Sequence, residues 1–229
     1  MKVRIRFSKT GPLVYIGHLD VMRYFQKLFR RADIPVAYSE GFSPHQILSF
    51  TPPLPLGMES DGEYADVELT ESVRSEDALE RLRARSIPYI TLHSFRQLPE
   101  KCENAMAAVK SASYSLLFEN GAGDIERCIN DLIHQDELYV TKKTKKSERE
   151  INIRPLIYEI SADPRKNMLN MTICSGSVDN IKPELVMEAL VKLTGFTYDP
   201  DALLIKRIDQ FTDINGVRVS LDSIGEDII

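Results

Sequence analysis

The sequence predicts an α+β fold in which one strand–helix pattern occurs twice. Three observations lead there. Short segments alternate strictly between apolar and polar residues, the mark of a half-buried strand. Between them lie segments with apolar residues at steps of three and four, the mark of an amphipathic helix. The order in each half is β-α-β-β-α-β. That order is the split βαβ, or ferredoxin-like, pattern. The expected architecture is therefore a tandem of ferredoxin-like domains with antiparallel sheets, each with helices on one face. The expected layout is a first domain over residues 1–98, a linker over 99–112 and a second domain over 113–229 with an insertion at 142–167.

In the first half, Val3, Ile5 and Phe7 alternate with Lys2, Arg4 and Arg6, which predicts a strand with one buried face. Leu19, Met22, Phe25, Leu28, Phe29 and Ala32 predict a helix from about Gly17 to Asp33, stopped by Pro35. A weak strand is expected at Val36–Tyr38 and a stronger one at Tyr64–Leu69. Ser75 is expected to cap a second helix carrying Ala78, Leu79 and Leu82, and Ile87–Leu98 reads as the fourth strand. In the second half, strands are expected at Tyr114–Phe118, Leu138–Thr141, Leu169–Ile173 and Leu203–Ile208. Helices are expected at Asp124–His134 and from Pro183 to Gly195, where proline starts and glycine stops the helix. An extra short strand, Leu156–Ile160, falls in the insertion.

The chain has 229 residues, 43% of them hydrophobic, enough for packed cores. Its apolar runs are far shorter than the roughly 20 residues that span a bilayer. The opening MKVRIRF alternates charged and apolar residues and offers no export signal, so no membrane association and a cytoplasmic location are expected. Cys102, Cys128 and Cys174 are too far apart for a CxxC pair or a CxxxCxxC iron–sulfur motif, and read as small buried side chains. The net charge of −5 hides an asymmetry: residues 1–57 hold eight basic residues against three acids, which is +5, and leave −10 for the remainder. A basic segment on an acidic protein points to one local anionic partner.

The segment from Glu40 to Gly57 stands apart. Four of the twelve prolines fall between positions 44 and 55, which excludes regular helix or sheet and favours a rigid extended loop, taken here as 41–57. It carries Phe42, His45 and Phe50, side chains able to stack on a planar ligand; the plainer reading is a loop capping the sheet. His18 stands at the first turn of the first helix, where free N–H groups gather, with Lys9 in the preceding turn and Arg23, Lys27 and Arg30 following on the polar face. Together they suggest a phosphate or carboxylate site, with His18 and His45 as candidate catalytic residues and Lys9, Arg23, Arg30 and Phe42 as candidate anion- or substrate-binding residues. A helix cap and a surface histidine are the alternatives. Glu59, Asp61, Glu63, Asp66 and Glu68 read as a solvated strand edge; their spacing is no metal signature, so neither metal nor cofactor is expected. The basic run Lys142–Arg149 is either a nucleic-acid arm or a solvated hairpin tip, and Arg149 and Arg154 flank Ile151-Asn152-Ile153 as further candidate anion-binding residues.

The strings Tyr15-Ile-Gly-His-Leu-Asp20, Met22-Arg23, Arg30-Arg31-Ala32, Tyr38-Ser-Glu-Gly-Phe42, Pro44-His45, Leu54-Pro-Leu-Gly57 and Glu63-Tyr64 resemble the radical SAM-associated (radical SAM-linked) protein family. Arg149-Glu-Ile-Asn-Ile-Arg-Pro155 resembles it too, with Asn152 where the family pattern has Asp. The resemblance implies a protein encoded beside, or fused to, a radical SAM protein, often near ribonuclease G and ribosomal-protein genes. Since the cysteine spacing cannot hold the radical SAM cluster, the implied role is accessory or substrate-presenting, with a radical SAM protein as partner. Tandem ferredoxin-like domains also resemble the CRISPR repeat-processing endoribonucleases, a likeness of fold that carries no function. The leading expectation is an accessory module acting with a radical SAM enzyme on RNA or a ribosomal substrate. The alternatives are a metal-independent endoribonuclease using His18 and His45 as acid and base, and a protein-interaction domain that binds no RNA.

Overall fold

A computed structural model of the chain describes residues 1–143, 148–176 and 179–229. The fold is α+β, with few helices and mostly antiparallel strands, and it divides into two compact units: Met1–Lys110 with Asp209–Ile229, and Ser111–Ile208.

The first unit starts with β1 (Lys2–Lys9), α1 (His18–Arg31), β2 (Leu48–Phe50), β3 (Glu59–Glu68), α2 (Ser75–Arg85), β4 (Ile90–Gln97) and the short α3 (Ala105–Ala108). β1 lies between β3 and β4, antiparallel to both, and β2 pairs antiparallel with β3. The alternation of β1 places Val3, Ile5 and Phe7 in the core against Phe25, Leu28 and Phe29 of α1. Phe7 and Phe25 have ring centroids 4.5 Å apart, and Phe50 meets Phe25 edge-on at 5.5 Å. α1 stops at Arg31; Asp33 takes a left-handed φ of 50° just before Pro35.

The opposite face of β1 is not solvated as the alternation predicts. Arg4 is 2% exposed and forms a two-pronged pair with its cross-strand partner Asp66, Nε–Oδ1 2.7 Å and Nη2–Oδ2 2.9 Å. Its Nη2 also donates to the Glu103 carbonyl, so the segment leading into α3 covers this face. Of the segment 99–112, expected as a linker, residues 99–110 thus belong to the first unit and 111–112 to the second. Asp66, read with its neighbours as a solvated edge, is buried with Arg4 for the same reason.

Ser75 does not cap α2. Arg74 holds the cap position, and the Ser75 hydroxyl donates to the Phe95 carbonyl and accepts from the Ile228 N–H. The first part of the outer edge of β4 is closed by side chains of α2 and the residue after it: Arg83 Nε donates to the Leu92 carbonyl at 2.9 Å and Ser86 Oγ to the Ile90 carbonyl at 2.9 Å. Such coverage blunts an edge that would otherwise template pairing.

The second unit contains β5 (Ser111–Phe118), α4 (Ile125–Ile133), β6 (Tyr139–Lys143), β7 (Glu148–Asn152), β8 (Ile157–Asp163), β9 (Met168–Cys174), α5 (Pro183–Thr194) and the first part of β10 (Leu203–Ile214). Its strand order is β10-β5-β9-β8, with β5–β9 and β8–β9 antiparallel. The strand expected at Leu138–Thr141 is not in this sheet: among the described residues β6 pairs with β7 alone, as a separate two-stranded sheet. The segment read as an extra strand supplies β8 instead. β8 carries a bulge between Ile157 and Glu159, which breaks the alternation by which a sheet strand is recognised. α5 begins at Pro183 and ends at Gly195 with φ 70°, as its sequence requires.

From Asp209 the chain returns to the first unit through the rest of β10, then β11 (Val217–Ser220) and β12 (Glu226–Asp227), which adds to β4. Buried polar contacts hold this return. Gln210 Nε2 donates to Thr51 Oγ1 at 3.0 Å and the Gly62 carbonyl at 2.8 Å; the Tyr64 hydroxyl donates to Asp209. Ser94 and Arg6 both bond the Asp222 carboxylate.

Candidate functional site

Two groups of residues in the first unit bring sequence-predicted candidates together. The first surrounds the start of α1. Lys9 ends β1 after a register shift and is 3% exposed, with Nζ donating to the Ile16 carbonyl at 2.9 Å. The turn after it is fixed by Gly11, whose φ is +56° and whose N–H donates to Glu59 Oε1 at 2.8 Å. A Cβ at this glycine would lie 2.7 Å from the Tyr89 ring, so both conformation and space require glycine. His18, the first residue of α1, meets the Phe50 ring edge-on at 5.6 Å. Phe7, Lys9, His18, Phe50, Thr51 and Glu63 line a cavity of about 20 Å³, room for one water molecule.

Burial lowers the His18 pKa from its ordinary 6.5, Glu63 works against the shift and Lys9 adds to it. Burial likewise lowers the Lys9 pKa, with Glu63 opposing. Both shifts favour the neutral form over the charged one, while the Lys9 amino group is tied to backbone through the Ile16 carbonyl.

The second group is a hairpin turn over residues 37–47 resting on α1. The Ala37 N–H donates to the Glu68 carbonyl and the Ile47 N–H to the Ala37 carbonyl, which pins its base to the end of β3. Gln46, buried at that base, donates from Nε2 to the Gln26 carbonyl of α1. The Ser39 N–H donates to the His45 carbonyl, and the His45 N–H to Ser39 Oγ at 3.1 Å. Ser39 Oγ lies 2.8 Å from His45 Nδ1. Gly41, with φ +107°, turns the apex, and Phe42 next to it is fully exposed, a ring in solvent on a tethered loop.

Gln26, where the hairpin lands, lies three residues after Arg23 and four before Arg30, so the three share one face of α1. Arg23 is exposed and pairs loosely with Asp20 at 3.3 Å; Lys27 and Arg30 are exposed too. Phe42 and His45 thus belong to the hairpin, Arg23 and Arg30 to the exposed row of the helix to which Gln46 ties it, and Lys9 and His18 to the cavity. His45 is not among the cavity's lining residues, and its walls are Phe7 and Phe50 where Phe42 is the expected wall.

The second-half candidates have other surroundings. Arg149 is exposed on β7, opposite Lys142 of β6, and residues 144–147 of the basic run lie outside the described residues. Arg154 is bound to backbone: Nε donates to the Gln135 carbonyl at 3.1 Å, Nη2 to that of Ile133 at 3.2 Å and Nη1 to that of Ile157 at 3.4 Å. It serves the end of α4, and does not share a strand face with Arg149. Among the described residues no three metal-ligating side chains cluster, and no helix is long and apolar enough to cross a membrane.

Sequence reasoning passed over the exposed apolar residues Tyr15, Leu19 and Leu56. The signal was present for Leu19, which shares a helix face with Arg23 and was counted as core. Gln46 was also missed; nothing in its sequence neighbourhood marks it as the tie between hairpin and helix.

The pairings define the class: a mixed α+β protein of two units with mostly antiparallel strands. The chain belongs to a family described as an uncharacterized protein conserved in bacteria (DUF2344), whose model matches residues 2–183. No curated protein matches it.

Proposed function

We propose that this protein is an accessory, substrate-binding module that acts with a radical SAM enzyme on RNA or a ribosomal substrate in the cytoplasm. The observation that carries the binding role is the solvent-exposed Phe42, held on a hairpin tied through Gln46 to the Gln26 carbonyl of α1, the helix that bears the exposed Arg23, Lys27 and Arg30. Cations on a rigid helix suit backbone phosphates, and an exposed aromatic ring suits an unstacked base. The partner enzyme rests on the family resemblance of the motifs in residues 15–64. Each unit is read as ferredoxin-like; the runs β4-β1-β3, with β2 also paired to β3, and β10-β5-β9-β8 support that reading, although both runs fall in one ten-stranded order where two separate sheets are expected.

The test is RNA binding over a salt series. Affinity falls steeply with salt, and Arg23→Ala or Arg30→Ala each lowers the logarithmic salt slope by about 0.7–0.9, one phosphate contact. Salt-independent binding, or none at low salt, defeats the proposal.

The cavity that gathers His18, Lys9 and Glu63 favours a second reading, metal-independent RNA cleavage with His18 and His45 as the acid and base. Cleavage by the purified chain in EDTA, lost in His18→Gln, is its signature; intact RNA after prolonged incubation removes it.

A further inference from the structure

We infer that the surface between α1 and the 37–47 hairpin is a site for single-stranded RNA, not for duplex. This rests on the RNA-binding reading above and narrows it. Phe42 is a lone ring projecting from a narrow turn, with Gly41 on one side and Ser43-Pro44 on the other. A base in a duplex is stacked on both faces and offers no plane to such a ring, whereas an unpaired base does. Tyr38, half exposed at the base of the same turn, offers a second ring.

The cations are disposed for one strand. Arg23, Lys27 and Arg30 form a single row along α1, with rises of about 6 Å and about 4.5 Å between successive members at 1.5 Å per residue. A row one side chain wide follows one backbone, where a duplex presents two across a groove.

His45 follows Phe42 by three residues in the same turn. Ser39 Oγ accepts the His45 N–H, and Nδ1 lies 2.8 Å from Ser39 Oγ and 3.5 Å from the Ser43 carbonyl. Those contacts occupy Nδ1 and leave Nε2 of this exposed side chain for a ligand. A base edge or a 2′-hydroxyl, which both donates and accepts, suits it.

The experiment compares a short fluorescent oligouridylate, which has no stable fold, with a blunt duplex of mixed sequence and equal strand length, in the full chain at low salt. The oligouridylate is expected to bind at least tenfold tighter than the duplex. Phe42→Ala is expected to lose about tenfold on the oligouridylate, the scale of one stacked base, with little change on duplex. Because Phe42 is fully exposed, this variant folds normally, and Phe42→Trp should retain binding. Equal affinity for both RNAs, or an unaffected Phe42→Ala, overturns the inference while leaving the RNA-binding reading in place. Absence of binding to either RNA overturns both, and capture of an acidic peptide in their stead assigns the surface to a protein partner.

Discussion

His18 joins buried surroundings to a titratable ring, and its effect on stability has a definite sign. Burial holds His18 below the ordinary 6.5, and partial desolvation together with the Arg6 and Arg83 charges does the same for the more exposed His93. As the pH falls through about 6.5 the unfolded chain takes up protons that the native imidazoles still refuse, so the unfolded state gains. Stability is thus full above that pH and declines on acidification, until the native rings also protonate. Urea midpoints measured from about pH 7 to about pH 5 should fall, and His18→Gln should flatten part of that fall. A variant with an unchanged slope would show that His18 is not held neutral by the fold. At this scale the sequence was a partial guide. His18 and Lys9 could be placed together because a short turn separates them. The separation of His45 depends on the 37–47 hairpin, whose ties run through Ser39, Gln46 and the ends of β3, none of which carries a local pattern.

Among the elements, α4 depends on a residue from outside it. Its last carbonyls are unsatisfied within the helix, as at any C-terminus, and the planar Arg154 fork serves one of them, that of Ile133, together with the Gln135 carbonyl just past the cap and the Ile157 carbonyl of β8. Arg154→Ala should cost about 1–3 kcal/mol, the scale of hydrogen bonds to a charged donor. Arg154→Lys should recover little, since a point ammonium cannot span the fork. Hydrogen exchange across residues 129–135 reads the effect; unchanged protection would assign Arg154 to another role, such as the anion site expected from sequence. Helices were the legible elements: α1, α2, α4 and α5 lie within a few residues of where apolar spacing, Pro183, Pro35 and Gly195 put them. Strands were less so. β6 looks like a sheet strand because Val140 alternates with exposed neighbours, yet a free hairpin alternates equally well. The residues after Ile208 carried no legible pattern, because their buried members include Gln210, a polar residue satisfied by Thr51 and Gly62 from far along the chain.

For the molecule as a whole, the first unit draws on two separated stretches, Met1–Lys110 and Asp209–Ile229. Tyr64, Arg6 and Ser94 each find a carboxylate in the second stretch, and Ser75 exchanges two hydrogen bonds with Ile228. A chain ending at Ile208 should leave β1, β3 and β4 weakly protected from hydrogen exchange, while the full chain protects them strongly. Equal protection in both would show that the return segment is an ornament. The same arrangement sets a timetable for synthesis. A ribosome adds about 5–20 residues per second, so the stretch between Lys110 and Asp209 takes on the order of 5–20 s to emerge. Throughout that interval the nascent first unit holds Arg6, Thr51 and Tyr64 without their later partners. Its completion waits on the last residues described here, and a slow codon or a pause within 111–208 lengthens the exposure in direct proportion.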